Sequence, residues 1–150
     1  VPIHFPAHGG RAMSDAREGG CYCGQVRYQV TGPAKAFGAC HCRECQHISG
    51  GGPNYFQLYE AASLSFVRGM PKAFQRADLD KPRVREFCPD CGTHLLTRLP
   101  DSTHLVIKVG TLDDPATAGT VGFAIFCDDA QPFHQFPEGV PHFPRRPPQA

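Results

Sequence analysis

Three thiols stand within six residues in Cys40-His41-Cys42-Arg43-Glu44-Cys45. Spaced two and three apart, their sulphurs reach one divalent ion through a tight loop, each at roughly the 2.3 Å of a zinc–sulphur bond. Three do not complete a tetrahedron. A structural zinc takes four protein ligands, whereas a zinc that does chemistry keeps a position for water or substrate. The other cysteines, of eight in all, are Cys21-Tyr22-Cys23, Cys88-Pro89-Asp90-Cys91 and a solitary Cys127. Gly24 and Gly92 follow the two pairs, and glycine there lets the backbone turn tightly and aim amide hydrogens at sulphur. Cys21, Cys23, Cys88 and Cys91 thus read as two knuckles of one closed, structural site. Cys40, Cys42 and Cys45 remain as a three-thiolate site open to a ligand from outside. Cys127, His47 and His94 are the alternatives for its fourth ligand, and any of them would make that metal structural too.

Three thiolates on a divalent ion leave a net charge near minus one, so the metal acidifies water less than a tris-histidine site would. Plain hydrolysis is therefore not the expected chemistry. The same soft ion suits an incoming sulphur, because coordination deprotonates a thiol outright. Two zinc ions per chain are expected, one structural and one catalytic, with iron on thiolate as the alternative metal. Cys40, Cys42, Cys45 and His47 are the candidate catalytic residues. His47 and His41 either shuttle a proton or hydrogen-bond a sulphur or a carbonyl. Arg43 is a candidate for pairing with a substrate carboxylate, Glu44 reads as a solvated neighbour, and Cys127 as a buried apolar residue.

Cysteine pairs at C-x-C and C-x-x-C spacing fit metal binding by reduced thiols better than long-range disulfides. The chain has 150 residues, 15 basic and 14 acidic, for a formal charge of +1 without a basic run. That balance offers no electrostatic footprint for nucleic acid or an anionic membrane. No apolar run approaches the roughly 18 residues of a membrane span, and no secretory segment is apparent. The expectation is a soluble, cytoplasmic protein.

The elements that must position these residues are short. An apolar fraction of 41% with Gly 16 and Pro 15 favours many turns over long helices. Residues 1–20 carry Pro, Gly and scattered charge without period and read as a poorly ordered arm, with His4 and His8 solvated and Met13 a candidate natural start. Gln25–Val30, Asn54–Leu58, Leu64–Val67, Thr93–Arg98, His104–Val109 and Val121–Cys127 read as strands, and Lys72–Ala77 with Val84–Phe87 as a hairpin. Residues 35–39 read as a link to the central thiols. The glycines at 50–52 before Pro53 limit any helix after Cys45 to a turn or two. The tail from Gln131, rich in Pro and Phe, drapes over the domain or trails off. The fold class is mainly β: a single domain of short antiparallel strands, cross-linked by two zinc sites, with little helix. Its boundaries are an arm over 1–17, a zinc β domain over 18–144 and a tail over 145–150.

The order Gly20-Cys21-x-Cys23-Gly24-x-Val26-x-Tyr28, Cys40-His41-Cys42-x-x-Cys45, Phe87-Cys88-x-x-Cys91-Gly92-Thr93, Gly110-Thr111-Leu112-Asp113 and Pro132 resembles the glutathione-dependent formaldehyde-activating enzyme family, which also includes centromere protein V. The resemblance covers residues 18–144. It implies a mainly β fold with two zincs, Cys21, Cys23, Cys88 and Cys91 as structural ligands, and Cys40, Cys42 and Cys45 as catalytic ones. It also implies a carbon–sulphur lyase acting on glutathione adducts of aldehydes such as S-hydroxymethylglutathione, for which Arg43 is the candidate glutathione contact. Ala124 and Phe133 stand where the family often has histidine and tryptophan, which shifts the expectation for the substrate end of the pocket. The rival readings are a non-enzymatic zinc β module for protein or nucleic acid, and a zinc-ribbon subunit of a larger assembly. The chain's near-neutral charge and open three-thiol cluster weigh against both.

Overall fold

Alternation along His104–Lys108 gives two unlike faces: Leu105 and Ile107 are fully buried on one, Val106 and Lys108 lie on the other. The chain builds a different layer on each. The structure, a computed structural model, describes residues 16–100 and 102–148. In order it forms β1 (Arg17–Gly20), β2 (Arg27–Val30), β3 (Ala36–Cys40), α1 (Arg43–Ser49), β4 (Asn54–Glu60), β5 (Leu64–Arg68), β6 (Lys72–Phe74), β7 (Val84–Phe87), β8 (His94–Arg98), β9 (His104–Lys108) and β10 (Phe123–Ile125). The fold is mainly β, as the strand pattern of the sequence leads one to expect. Among the described residues, no helix is long and apolar enough to cross a membrane.

One sheet has three strands in the order β1-β2-β5, and the other has seven in the order β10-β3-β4-β9-β8-β7-β6. The main core lies between them, where Tyr28 and Val30 from the small sheet, with Val26 just before β2, meet Phe37, Tyr59, Leu96 and Ile107 from the large one. A second cluster, with Ala36, Phe56, Val106 and Phe123, covers part of the opposite face of the large sheet beside Cys40 and Cys45. The loop after β9 holds the two sheets in register. Tyr28 OH and Thr111 Oγ1 are 2.8 Å apart, and Arg27 grips both carboxylate oxygens of Asp113 at 2.8 and 2.5 Å. The Gly110–Asp113 motif is thus a clamp between layers.

Three expectations need correction. Arg17–Gly20, read as part of an irregular arm, is β1. It pairs with β2, and its Arg17 donates to Gln57 Oε1 and Tyr59 OH, each at 3.3 Å. Residues 1–15, with His4, His8 and Met13, lie outside the described residues. The stretch read as a link at 35–39 leads into β3, in which all five residues are buried; a strand covered on both faces carries no polar–apolar alternation to reveal it. Nor is the pairing all antiparallel, since β10 runs parallel to β3. The long connection from β9 brings the chain to that edge in the same direction as β3, which only a crossover of this length allows.

Gly38 in β3 is where side chains from neighbouring strands meet over the backbone. A Cβ there would lie 2.6 Å from the Phe123 ring and 2.9 Å from the Phe56 ring, and both rings are buried. Gly38→Ala is expected to cost about 1–3 kcal/mol, as overpacking of a filled core does. Urea denaturation should show a lower midpoint with an unchanged slope; an unaltered midpoint would mean the rings are free to move aside.

Candidate functional site

Both knuckles turn through left-handed glycines, Gly24 at φ 80° and Gly92 at φ 77°, a region open to glycine at little cost. The turns bring Cys21, Cys23, Cys88 and Cys91 together with their sulphurs within 4.8 Å of one another. Cys21 and Cys23 Sγ are 3.6 Å apart, and Cys23 and Cys88 Sγ 3.7 Å. A tetrahedron of zinc–sulphur bonds has an edge of about 3.8 Å, so the four residues fit such an ion. Backbone N–H groups already point at sulphur: Val26 donates to Cys21 Sγ at 3.2 Å and Asp90 to Cys88 Sγ at 3.4 Å.

The central group is Cys40 at the end of β3, Cys42 capping α1, and Cys45 in its first turn, again with all three sulphurs within 4.8 Å. The cap is a sulphur rather than the usual oxygen: Cys45 N–H donates to Cys42 Sγ at 3.3 Å. Among the described residues, no further cysteine, histidine or carboxylate joins this trio. All eight cysteines are free of disulfides. Hydrogen bonds with Cys40 and Cys45 pull the Cys42 thiol down to about 2, while Cys42 and Cys45, with burial, push Cys40 far up. Three sulphurs so close compete for a single negative charge, and a divalent cation would let all of them ionise. The donor set therefore fits a soft ion with one position left for an external ligand.

Strand register decides what faces these thiols. Across the large sheet Ile125, Cys40 and Asn54 stand in one row, Phe123, Gly38, Phe56 and Lys108 in the next, and Ala36, Leu58, Val106, Thr97 and Arg85 in a third. These rows form the floor of an open cleft of about 710 Å³, with the central thiols along its side. Lys108 is buried there, 8% exposed, and Nζ donates to Thr97 Oγ1 at 3.1 Å. Burial pulls its amine down to about 8, opposed chiefly by attraction to Cys45. Arg85 donates to the same Thr97 oxygen at 3.2 Å and pairs with Glu44 of α1. A chain of polar contacts thus links the helix that carries the thiols to the floor beneath them.

The far wall comes from later in the chain. Phe126 sits at φ 54°, a strained conformation for a bulky residue, and lines the cleft. Residues 141–145 run alongside β10, where Phe143 N–H donates to Ala124 O at 2.9 Å and Phe126 N–H to Arg145 O at 3.0 Å. Arg146 and Pro147, expected in a tail beyond the domain, line the cleft as well. Gln46 fastens this wall to α1, donating from Nε2 to His41 O at 2.8 Å and to Asp129 O at 2.9 Å.

A model of the glutathione-dependent formaldehyde-activating enzyme family matches residues 16–129. The chain belongs to that family. The match spans every cysteine of both groups and stops before the strip at 141–147. A crystal structure of a Rhodobacter sphaeroides protein is similar in fold, with a TM-score of 0.55 and 20% identity over 69% of this chain and 96% of that one. None of the curated proteins matches the chain.

Within the family domain, the candidate residues other than the thiols separate. Arg43 lines the cleft, where its Nη1 donates to Gln46 Oε1. His47 does not reach it: it is exposed on α1 and borders a second hollow with Phe74, Leu79 and His94. His41 is fully buried and bonded to His134, with the two Nδ1 atoms 3.2 Å apart. His134 Nδ1 accepts from Gln131 N–H, and its Nε2 donates to Gly51 O at 2.6 Å, so the Nδ1 hydrogen at the shared contact belongs to His41. That pair holds the thiol loop to the C-terminal wall. Cys127 is half-buried with its N–H bonded to Phe143 O at 3.1 Å, apart from the trio. Sequence reasoning missed Lys108, Thr97, Arg85 and His134. For Lys108 a signal existed: a lysine ending the apolar run His104-Leu105-Val106-Ile107 is a charge where a buried strand would not ordinarily carry one.

Metal analysis of the purified protein is expected to return two ions per chain, falling to one in Cys42→Ser with the far-ultraviolet spectrum intact. Cys88→Ser should instead lower the melting temperature, because the knuckle site joins segments 65 residues apart. A single ion per chain, unchanged by Cys42→Ser, would remove the central site.

Proposed function

We propose that the protein is a zinc-dependent carbon–sulphur lyase that makes or breaks the bond between a thiol such as glutathione and the carbonyl carbon of an aldehyde. The observation that carries this reading is a trio of thiols, without a fourth protein ligand among the described residues, facing a buried lysine across one cleft. Zinc, when held by Cys40, Cys42 and Cys45, supplies a soft positive centre that stabilises a sulphur anion. The adduct is a small thiol compound, and family membership supports glutathione as the thiol.

Addition consumes a thiolate and an aldehyde. The sulphur pair forms the new C–S bond, the C=O π pair moves onto oxygen, and a proton then completes the hydroxyl. Lys108 is suited to the oxygen: two of its three N–H groups have no protein acceptor among the described residues, and a fixed donor aimed at a developing oxyanion acts without reorganising. Cleavage runs the same steps backwards, with the hydroxyl proton lost, the C=O bond re-formed and the C–S pair returned to sulphur. Thr97 holds the ammonium in place, and Arg85 braces Thr97 against Glu44. Arg43 at the rim is suited to a carboxylate of the thiol's peptide.

Zinc-loaded protein is expected to accelerate thiol-dependent loss of an aldehyde, or its release from the adduct, and Cys42→Ser to abolish this. Lys108→Met, close in shape but uncharged, should lower kcat about 10²- to 10³-fold, the usual effect of removing one oxyanion donor, with the metal content unchanged. Full activity in Lys108→Met would remove the oxyanion role, and no turnover of any thiol adduct by the loaded wild type would remove the lyase.

A further inference from the structure

The cleft has to hold the whole thiol adduct, so it is the lining beside Lys108, not the size, that speaks to the aldehyde half. The cleft's volume of about 710 Å³ lies in the upper part of the roughly 300–1,000 Å³ range typical of pockets for drug-sized ligands. Thr97, Arg85 and the thiols make one side of Lys108 polar, and the strand row that leads away from it through Phe56 is apolar. Phe56, which pairs with Lys108 across the sheet, meets Phe123 edge-on at 6.0 Å, and Gly38 is the position that lets the two rings approach. Leu58 and Val106 continue this surface on one side, and Ile125 with the strained Phe126 on the other. Phe56 and Phe123 are 8% and 9% exposed, so their cleft-facing edges together with the half-buried Leu58, Ile125 and Phe126 make up the apolar area, and a group covering it gains roughly 25 cal/mol for each Å² removed from water.

Resting on the thiol-adduct reading, we infer that the aldehyde half of the substrate carries a bulky apolar group, aryl or branched alkyl, laid against Phe56, Phe123 and Phe126 while its oxygen meets Lys108. Two independent features converge on this placement. One is a nine-tenths buried ammonium with two donors that no protein group among the described residues accepts, which suits an oxygen. The other is an aromatic surface adjoining it in register, which requires carbon. Formaldehyde adducts would satisfy the first and leave the second bare.

Calorimetric titration of the zinc-loaded protein with two stable thioethers, S-benzylglutathione and S-methylglutathione, tests this without turnover. The benzyl compound is expected to bind at least about tenfold more tightly, and Phe123→Ala to bring that ratio towards one. Should Phe123→Ala not fold, Phe123→Leu should lower the ratio in the same direction, and the wild-type ratio alone still decides. Equal affinities for the two compounds would overturn the inference while leaving the lyase reading intact. Failure of both to bind would likewise overturn the inference, and together with no turnover of any thiol adduct would overturn the lyase reading as well.

Discussion

Crowding of like charge at Cys40, Cys42 and Cys45 is the constraint from which the rest of the architecture follows. Three sulphurs within 4.8 Å of one another can all ionise only where positive charge is close. Part of that charge is built in. Lys108 lies buried on the floor of the same cleft, and the pull of Cys45 opposes the effect of burial on its amine. A buried ammonium is unfavourable without anions beside it, just as neighbouring thiolates are unfavourable without a cation. Each makes the other tolerable, and a divalent ion held by the trio would complete the balance.

The β scaffold turns this balance into a defined geometry. Cys40 and Lys108 lie on strands separated by β4, so their relation is set by two antiparallel registers, Cys40 with Asn54 and Phe56 with Lys108. A slip of one residue in either would send the side chains to the opposite face, where the core of Tyr28, Tyr59 and Ile107 has no room for charge. The clamp at Thr111 and Asp113 matters for this reason: it fixes the segment just after β9 to the small sheet. The helix is held as tightly through Glu44 with Arg85 and Gln46 with Asp129. The geometry of the thiols and the packing at the sheet interface are therefore one problem.

How much of this could be read from the sequence follows from how local each signal is. The two cysteine groups were legible because ligand spacing is a local property, and glycine after each knuckle marks the turn it needs. The strands with one covered face were legible by alternation. β3 was not, since Ala36-Phe37-Gly38-Ala39-Cys40 is buried throughout, and β1 was not, since Arg17-Glu18-Gly19-Gly20 offers no apolar period. The cleft itself was hidden. Thr97, Arg85 and Lys108 converge only through cross-strand register, and His134 reaches His41 from 93 positions away. His47 looked suitable by proximity in the chain, but helical geometry turns it outward, a direction that spacing alone does not convey.

The parallel pairing of β10 with β3 has a consequence for how the protein is made. Synthesis proceeds from the N-terminus, so β3 and α1 leave the ribosome well before β10 and the strip at 141–147 that wall them in. During that interval the trio of thiols stands open to oxidants, and thiolates are the form most readily oxidised. A metal captured early would act as a protecting group for the nascent chain.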